Sequence, residues 1–179
     1  MKRLLLAVAL VLSSVAGAQP ATIILVRHAE KASQTETDPV LSAAGTQRAK
    51  DLGVALVDAN VSSVFVTQYQ RTRLTAADVI AARSLTPIVI NAGAPTHPSD
   101  VAAEVMKRPA GEVVLVVGHS NTVNQILAAL GGPKMGNICD SQYSNMVIVR
   151  PRAGSAPDVI RAKFGAADPA DPACANTMR

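Results

Sequence analysis

The chain has 179 residues, with 17 Lys and Arg against 13 Asp and Glu, two Phe, two Tyr and no Trp. So slight a basic excess, with so few rings to stack bases on, argues against nucleic acid as a partner. The length suits one domain with a real core.

The chain opens on a basic pair, Lys2-Arg3, then an apolar run from Leu4 to Leu12, then Ala16-Gly17-Ala18. This order predicts a secretory signal peptide over residues 1–18, a mature domain over 19–179, and a periplasmic or secreted destination. The apolar run is too short to span a bilayer, so no stable membrane insertion is expected after cleavage. Losing Lys2 and Arg3 lowers the formal charge from +4 to +2.

Thr22 to Val26 reads as a buried parallel strand, and Lys31 to Pro39 as a polar loop. Ser42 is placed to cap a helix running to about Ala59, with Ala49, Leu52, Leu56 and Ala59 on its apolar side. A strand over Val61 to Thr67 precedes one helix from about Arg71 to Ala82. Pro87 to Ile90 is a third strand, and Asn91 to Pro98 a loop carrying His97, expected to be a packed polar residue. Ser99 is expected to cap a helix through about Lys107, ended by Pro109. A strand over Glu112 to Val117 leads to a helix from Thr122 to Leu130, with Ser120 as its expected cap. Met146 to Val149 and Val159 to Phe164 read as a closing hairpin across Pro151 to Pro157. Strands alternating with helices predict a single α/β layered domain. Arg73, Arg83 and Lys107-Arg108 read as solvated helix faces, and Tyr69 and Tyr143 as partly buried core, with the border of a ligand pocket as the alternative.

Cys139 and Cys174 are the only cysteines. In an exported chain an even count predicts a disulfide, here joining the Pro- and Ala-rich tail to the body. It would close a ring of about 36 residues, worth roughly 4 kcal/mol by chain entropy.

Two of the three histidines stand at strand ends, in Arg27-His28 and in Gly118-His119-Ser120-Asn121. In an open α/β sheet the carboxyl ends of strands form the ligand edge. A transferring phosphoryl group spreads negative charge over its oxygens, so it needs fixed cations and in-line positioning. Arginine offers a planar fork for two oxygens, and neutral histidine can attack phosphorus. Arg27, His28, His119, and Arg71 at the predicted start of a helix, make such a set. If they supply the positive charge, neither a metal nor a cofactor is required.

Arg27-His28-Ala29-Glu30-Lys31 resembles the R-H-[GA]-E signature of the histidine phosphatase superfamily, in its phosphoglycerate-mutase-like branch. Leu41 to Ala49 is similar to that family's L-[TS]-x-x-G-x-x-Q-A segment, with Arg48 between the glutamine and the alanine. Gln70 to Ala76 resembles its R-[TA]-x-x-T-A helix start, and Gly118-His119-Ser120 its G-H-[SG] element. The four stretches occur in family order across Ile23 to about Val149. The resemblance implies a three-layer α/β/α sandwich around a mostly parallel sheet. It also implies His28 as the phosphorylated nucleophile, with Arg27, Arg71 and a protonated His119 completing the phosphate pocket. Asn121 would touch substrate or orient His119, and Gln34 would add a polar contact.

One departure matters. Mutase-like relatives supply a glutamate acid between the second arginine and the second histidine. Here that stretch offers Asp78, Asp100, Glu104 and Glu112, none in a recognisable motif. Glu104 and Glu30 stand as candidate acids, with a carboxylate on the Lys31–Pro39 loop or Asp140 as alternatives; Glu30 is equally suited to support the site from behind. Lacking an acid costs ~10²–10⁴-fold on poor leaving groups. The expectation is therefore an exported phosphatase acting on small-molecule or protein phosphates with good leaving groups. Two rivals remain: a module that binds phosphate esters with little turnover, and a serine hydrolase using Ser120. The second lacks the final glycine of G-x-S-x-G and any histidine after His119.

Overall fold

Val and Ile dominate β1 (Thr22–Arg27) and β4 (Val113–Gly118), and these two strands lie side by side at the centre of the sheet. The computed structural model describes residues 19–174, so the expected signal peptide lies outside the described residues. Between the two central strands in sequence come α1 (Ala43–Ala55), β2 (Val61–Val66), α2 (Gln70–Thr75), α3 (Ala77–Arg83), β3 (Ile88–Val89) and α4 (His97–Met106). After them come α5 (Thr122–Ala129), β5 (Asn145–Arg152) and β6 (Ser155–Lys163). The six strands run in the order β3-β2-β4-β1-β5-β6. The first four are parallel; β5 and β6 are antiparallel and close one edge. Among the described residues, no helix is long and apolar enough to cross a membrane.

Alternate residues of each central strand point to opposite faces. Ile23, Leu25, Val114 and Val116 pack with Val101 and Val105 of α4 and with Val123, Ile126 and Leu127 of α5. Ile24, Val26, Leu115 and Val117 pack with Leu52 of α1 and Val79 of α3. This is the α/β/α sandwich. The chain leaves β1 toward β2 and leaves β4 toward β5, on opposite sides of the central pair. The helices that follow, α1 and α5, therefore cover opposite faces and open a crevice at the ends of β1 and β4.

Several boundaries differ from expectation. Helix α1 ends at Ala55 rather than near Ala59, because the chain tightens into turns and Asn60 takes a left-handed φ of 54°. The single helix expected from Arg71 is two, broken at Ala76. Thr72 and Thr75 donate their hydroxyls back to the carbonyls of Tyr69 and Arg71 at 2.9 and 2.7 Å, a pattern that bends helices. Helix α4 starts three residues early at His97, with Pro98 in its first turn and Thr96 before it. Ser99 therefore does not cap; its hydroxyl donates to the Thr96 carbonyl at 2.7 Å. Helix α5 is preceded by Asn121, not capped by Ser120. The β5–β6 strands run through Pro151 and Pro157, and the turn narrows to the Gly154 region. Pro151 is tolerated at a register shift, and Pro157 on an edge strand.

Candidate active site

The parallel ladder pairs Arg27 with Gly118, and the next amide continues it: the His28 N–H donates to the Gly118 carbonyl at 2.9 Å. Equal strand lengths thus deliver His28 and His119 side by side, with ring centroids 5.4 Å apart. They floor a cleft of about 310 Å³ that Arg27, Arg71, Asn121 and Ser120 also line.

His28 is buried, and its Nδ1 lies 2.8 Å from the Ala29 carbonyl oxygen. A carbonyl can only accept, so Nδ1 carries the proton and Nε2 holds the free lone pair. Burial, against the pull of the Ala29 bond and helped by His119 and the two arginines, lowers this histidine to about 3. It is therefore neutral at ordinary pH. The Ala29 N–H donates to Thr75 Oγ1 at 2.8 Å, and Thr75 donates to the Arg71 carbonyl, which locks the His28 turn to α2.

The close approach of α1 adds a second lock. The Ser42 hydroxyl accepts from the Gly45 N–H at 3.0 Å, and the Ser42 N–H donates to the Glu30 carbonyl at 2.9 Å. A Cβ on Gly45 would lie 2.2 Å from the Glu30 carbonyl oxygen, so only glycine allows this contact.

His119 has its Nε2 3.2 Å from Thr67 Oγ1, and Thr67 in turn meets Thr72 Oγ1 at 3.1 Å. Burial, then Arg71, His97 and Arg27, lower it to about 4. This shift favours the neutral ring and runs against the protonated His119 that the sequence suggests.

The arginines are held differently. Arg27 is 3% exposed and gives its Nη1 hydrogens to the carbonyls of Cys139, Gln142 and Asp140 at 2.7, 3.0 and 3.2 Å. Its guanidinium lies 4.1 Å over the Tyr143 ring. Arg71 lies 4.1 Å over the Tyr69 ring, with Nη1 3.8 Å from Asp38 Oδ1. The Nε of each arginine is buried without a hydrogen-bond partner. Burial lowers both from their ordinary value, and the fork stays charged.

Of the residues proposed from sequence, His28, His119, Arg27, Arg71 and Asn121 meet at the cleft. Gln34 is exposed on its loop and does not line it. Glu104 is exposed on α4 and paired with Lys107, also outside the cleft. Glu30 is turned away: its carboxylate accepts from Arg48 Nε at 2.9 and 3.0 Å and from Nη2 at 2.8 Å. Arg48 then reaches the carbonyls of Phe164 and Ala166. Cys139 and Cys174 are joined in a disulfide. Sequence reasoning missed Lys31 as a cleft residue, and Tyr69, part-buried, takes the alternative place at the pocket border, beside His119. An aromatic one residue from a helix start carries no signal of which way it faces. His97 is buried in α4, with Nδ1 3.1 Å from the Asn91 carbonyl.

Paired strand-end histidines between two arginines, at the switch point of a mostly parallel sheet, make a cationic cleft in an α/β sandwich. Residues 23–93 match the family model described as the histidine phosphatase superfamily, branch 1. No curated protein matches it in sequence. Among solved structures it is similar to the putative phosphohistidine phosphatase SixA from Agrobacterium tumefaciens, with 20% identity and a TM-score of 0.57, covering 82% of this chain and 99% of that one. Bacillus stearothermophilus YhfR gives 20% identity and a TM-score of 0.59, over 77% of this chain and 94% of that one. A phosphoserine phosphatase from Entamoeba histolytica gives 14% identity and a TM-score of 0.59, over 82% and 97%. These likenesses bear on the fold.

Proposed function

We propose that the mature chain is an exported, metal-independent phosphatase that acts through a phosphohistidine on His28. The observation that carries this reading is the His28 tautomer. Nδ1–H is committed to the Ala29 carbonyl, so a neutral Nε2 is left beside two arginines. Nε2 attacks phosphorus, the bond from phosphorus to the leaving oxygen or nitrogen breaks, and the leaving group departs with its electron pair. The imidazole gains positive charge as the N–P bond forms, and the Ala29 carbonyl stabilises that charge. Water then attacks phosphorus, the P–N bond breaks, and inorganic phosphate leaves with His28 neutral again. Arg27 and Arg71 hold the oxygens. His119 stands beside His28 as the second histidine of the pocket.

The substrates are phosphomonoesters or other phosphorylated groups with good leaving groups: aryl phosphates, acyl phosphates or phosphohistidine. Among the described residues, Asp140 is the one carboxylate lining the cleft, and it sits exposed at the rim, 3.4 Å from Arg27 Nη2. A leaving group that needs little protonation suits such a site. The Agrobacterium neighbour, a putative phosphohistidine phosphatase, supports that class. The disulfide and the N-terminal sequence pattern support export.

The test is aryl-phosphate hydrolysis by wild type, His28→Ala and Ser120→Ala, with and without chelator. We expect His28→Ala to lose roughly 10⁴-fold or more, and the chelator and Ser120→Ala to leave turnover in place. Turnover that survives His28→Ala overturns the mechanism. Loss only in Ser120→Ala favours a serine hydrolase, and loss with chelator requires a metal. Tight phosphate-ester binding without turnover favours a binding module.

A further inference from the structure

Arg27 is aimed by atoms more than a hundred residues away. Its three carbonyl acceptors belong to residues 139–142, a stretch outside every strand and helix. A buried guanidinium follows its acceptors, because leaving its N–H groups unpaired is costly. Whatever fixes residues 139–144 therefore fixes Arg27.

The β5–β6 ladder holds its Ser144 end, where the Phe164 N–H donates to the Ser144 carbonyl at 3.0 Å, and the tail adds further contacts along it. Asp168 Oδ1 accepts from the N–H groups of Tyr143 and Ser144 at 2.7 and 2.9 Å, and Oδ2 accepts from the Ser144 hydroxyl at 2.6 Å. The Ser141 hydroxyl donates to Asp171 Oδ2 at 2.9 Å. The disulfide ties Cys139, whose carbonyl is the nearest acceptor of Arg27, to Cys174. Tyr143, held through its own amide by Asp168, is the ring on which Arg27 lies.

We propose that tail residues 165–174 are a positioning element of the phosphate pocket: Asp168 and the Cys139–Cys174 bond fix residues 139–144 so that their carbonyls and the Tyr143 ring aim Arg27 at a bound oxyanion. Asp168 is a positioning residue that acts through this loop. Burial pushes its carboxyl up, but the Ser144 hydroxyl and the N–H groups of Tyr143 and Ser144 outweigh this and hold it below the usual range. It is thus charged wherever the site can work. One consequence is a redox dependence, since reducing the disulfide frees the Cys139 end of the loop.

This inference rests on the phosphatase reading of the same site, and the test separates the two. Full-length wild type, Asp168→Ala, Asp168→Asn and the Cys139→Ser/Cys174→Ser pair are assayed for aryl-phosphate hydrolysis and for inhibition by orthovanadate, with melting curves alongside. Asp168→Ala should raise KM and the orthovanadate Ki together by about tenfold or more. Asp168→Asn keeps the Oδ1 acceptor and should recover most of that loss. The serine pair, and wild type in dithiothreitol, should shift Ki in the same direction. A tail that serves only folding lowers Vmax through the folded fraction and leaves KM and Ki at wild-type values; that result, or no change at all, overturns the proposal. If Asp168→Ala does not fold, the serine pair and the reduced wild type decide by the same Ki criterion. A wild type that neither turns over nor binds orthovanadate defeats the phosphatase reading, and this inference with it.

Discussion

The two arginines of the cleft show two ways of presenting one charge. Arg27 leaves the last residue of a central strand, is almost wholly buried, and has Nη1 tied to three carbonyls. Arg71 stands in the first turn of the short helix α2, is partly exposed, and leans on one aspartate at 3.8 Å and one tyrosine ring. The first is aimed by a rigid surround. The second is held by fewer contacts. A site built this way has one wall tied more tightly than the other.

That contrast is broken most directly by removing each fork. Arg27→Ala should lower kcat/KM on an aryl phosphate by on the order of 10²–10³-fold. It should also lower the melting temperature, because three part-buried carbonyls lose their donor, at a cost of up to about 1–3 kcal/mol. Arg71→Ala should lose comparable activity with little change in melting. Equal melting losses would mean that the two arginines are held alike. Arg27→Lys should fail to rescue, since an ammonium cannot keep both the carbonyls and the oxyanion.

The next effect is on pH dependence. His28 and His119 are lowered from 6.5 to about 3 and about 4, with burial the leading cause in both. The unfolded chain binds these protons near pH 6.5 and the folded chain does not. Stability is therefore fully present above pH 6.5 and is lost as pH falls from there toward 3 to 4. In that window each histidine contributes a slope approaching about 1.4 kcal/mol per pH unit. Chemical denaturation of wild type and His28→Ala between pH 7 and 5 should show the variant losing less stability on acidification. The same shifts predict no acid limb in kcat/KM near 6.5 from the free enzyme. An inflection there that disappears in His28→Ala would put the nucleophile at its ordinary value and contradict its burial.

Gly45→Ala follows. Its Cβ would meet the Glu30 carbonyl oxygen at 2.2 Å, so α1 must back away from the His28 turn. A cost of about 1–3 kcal/mol is expected in denaturant melts. A neutral substitution would show that this lock is slack.

The strand-end residues were legible because their placement is local. Aliphatic runs make β1 and β4, and a histidine immediately after each run arrives at the ligand edge in any α/β sheet. The aim of Arg27 was not legible, because Cys139, Gln142 and Asp168 approach it from an irregular stretch and a tail without periodicity. The cysteine count predicted the link but not what the link holds. The break at Ala76 was hidden because helical spacing continues across it, while the bend comes from threonine hydroxyls that compete for backbone carbonyls. The early start of α4 was missed because Pro98 reads equally as a loop residue and as a first-turn residue.

The smallest predicted effect bears on the missing acid. A group that protonates a leaving oxygen must reach the cleft, and it must help poor leaving groups more than good ones. Glu104 is exposed on α4 and paired with Lys107, outside the cleft. Glu104→Gln should leave stability within about 0.5 kcal/mol, as for other surface changes, and should leave turnover of both aryl and alkyl phosphates unchanged. Asp140→Asn gives the informative contrast, because that carboxylate stands at the rim beside Arg27. If Asp140 lends a proton, its loss slows alkyl phosphates more than aryl phosphates and steepens the dependence of rate on leaving-group pKa. If it only braces Arg27, both substrate classes fall by the same factor, because the guanidinium meets the phosphoryl oxygens whichever group departs. A selective loss in Glu104→Gln instead would require α4 to reach the cleft during turnover, and would remove the basis for expecting good leaving groups.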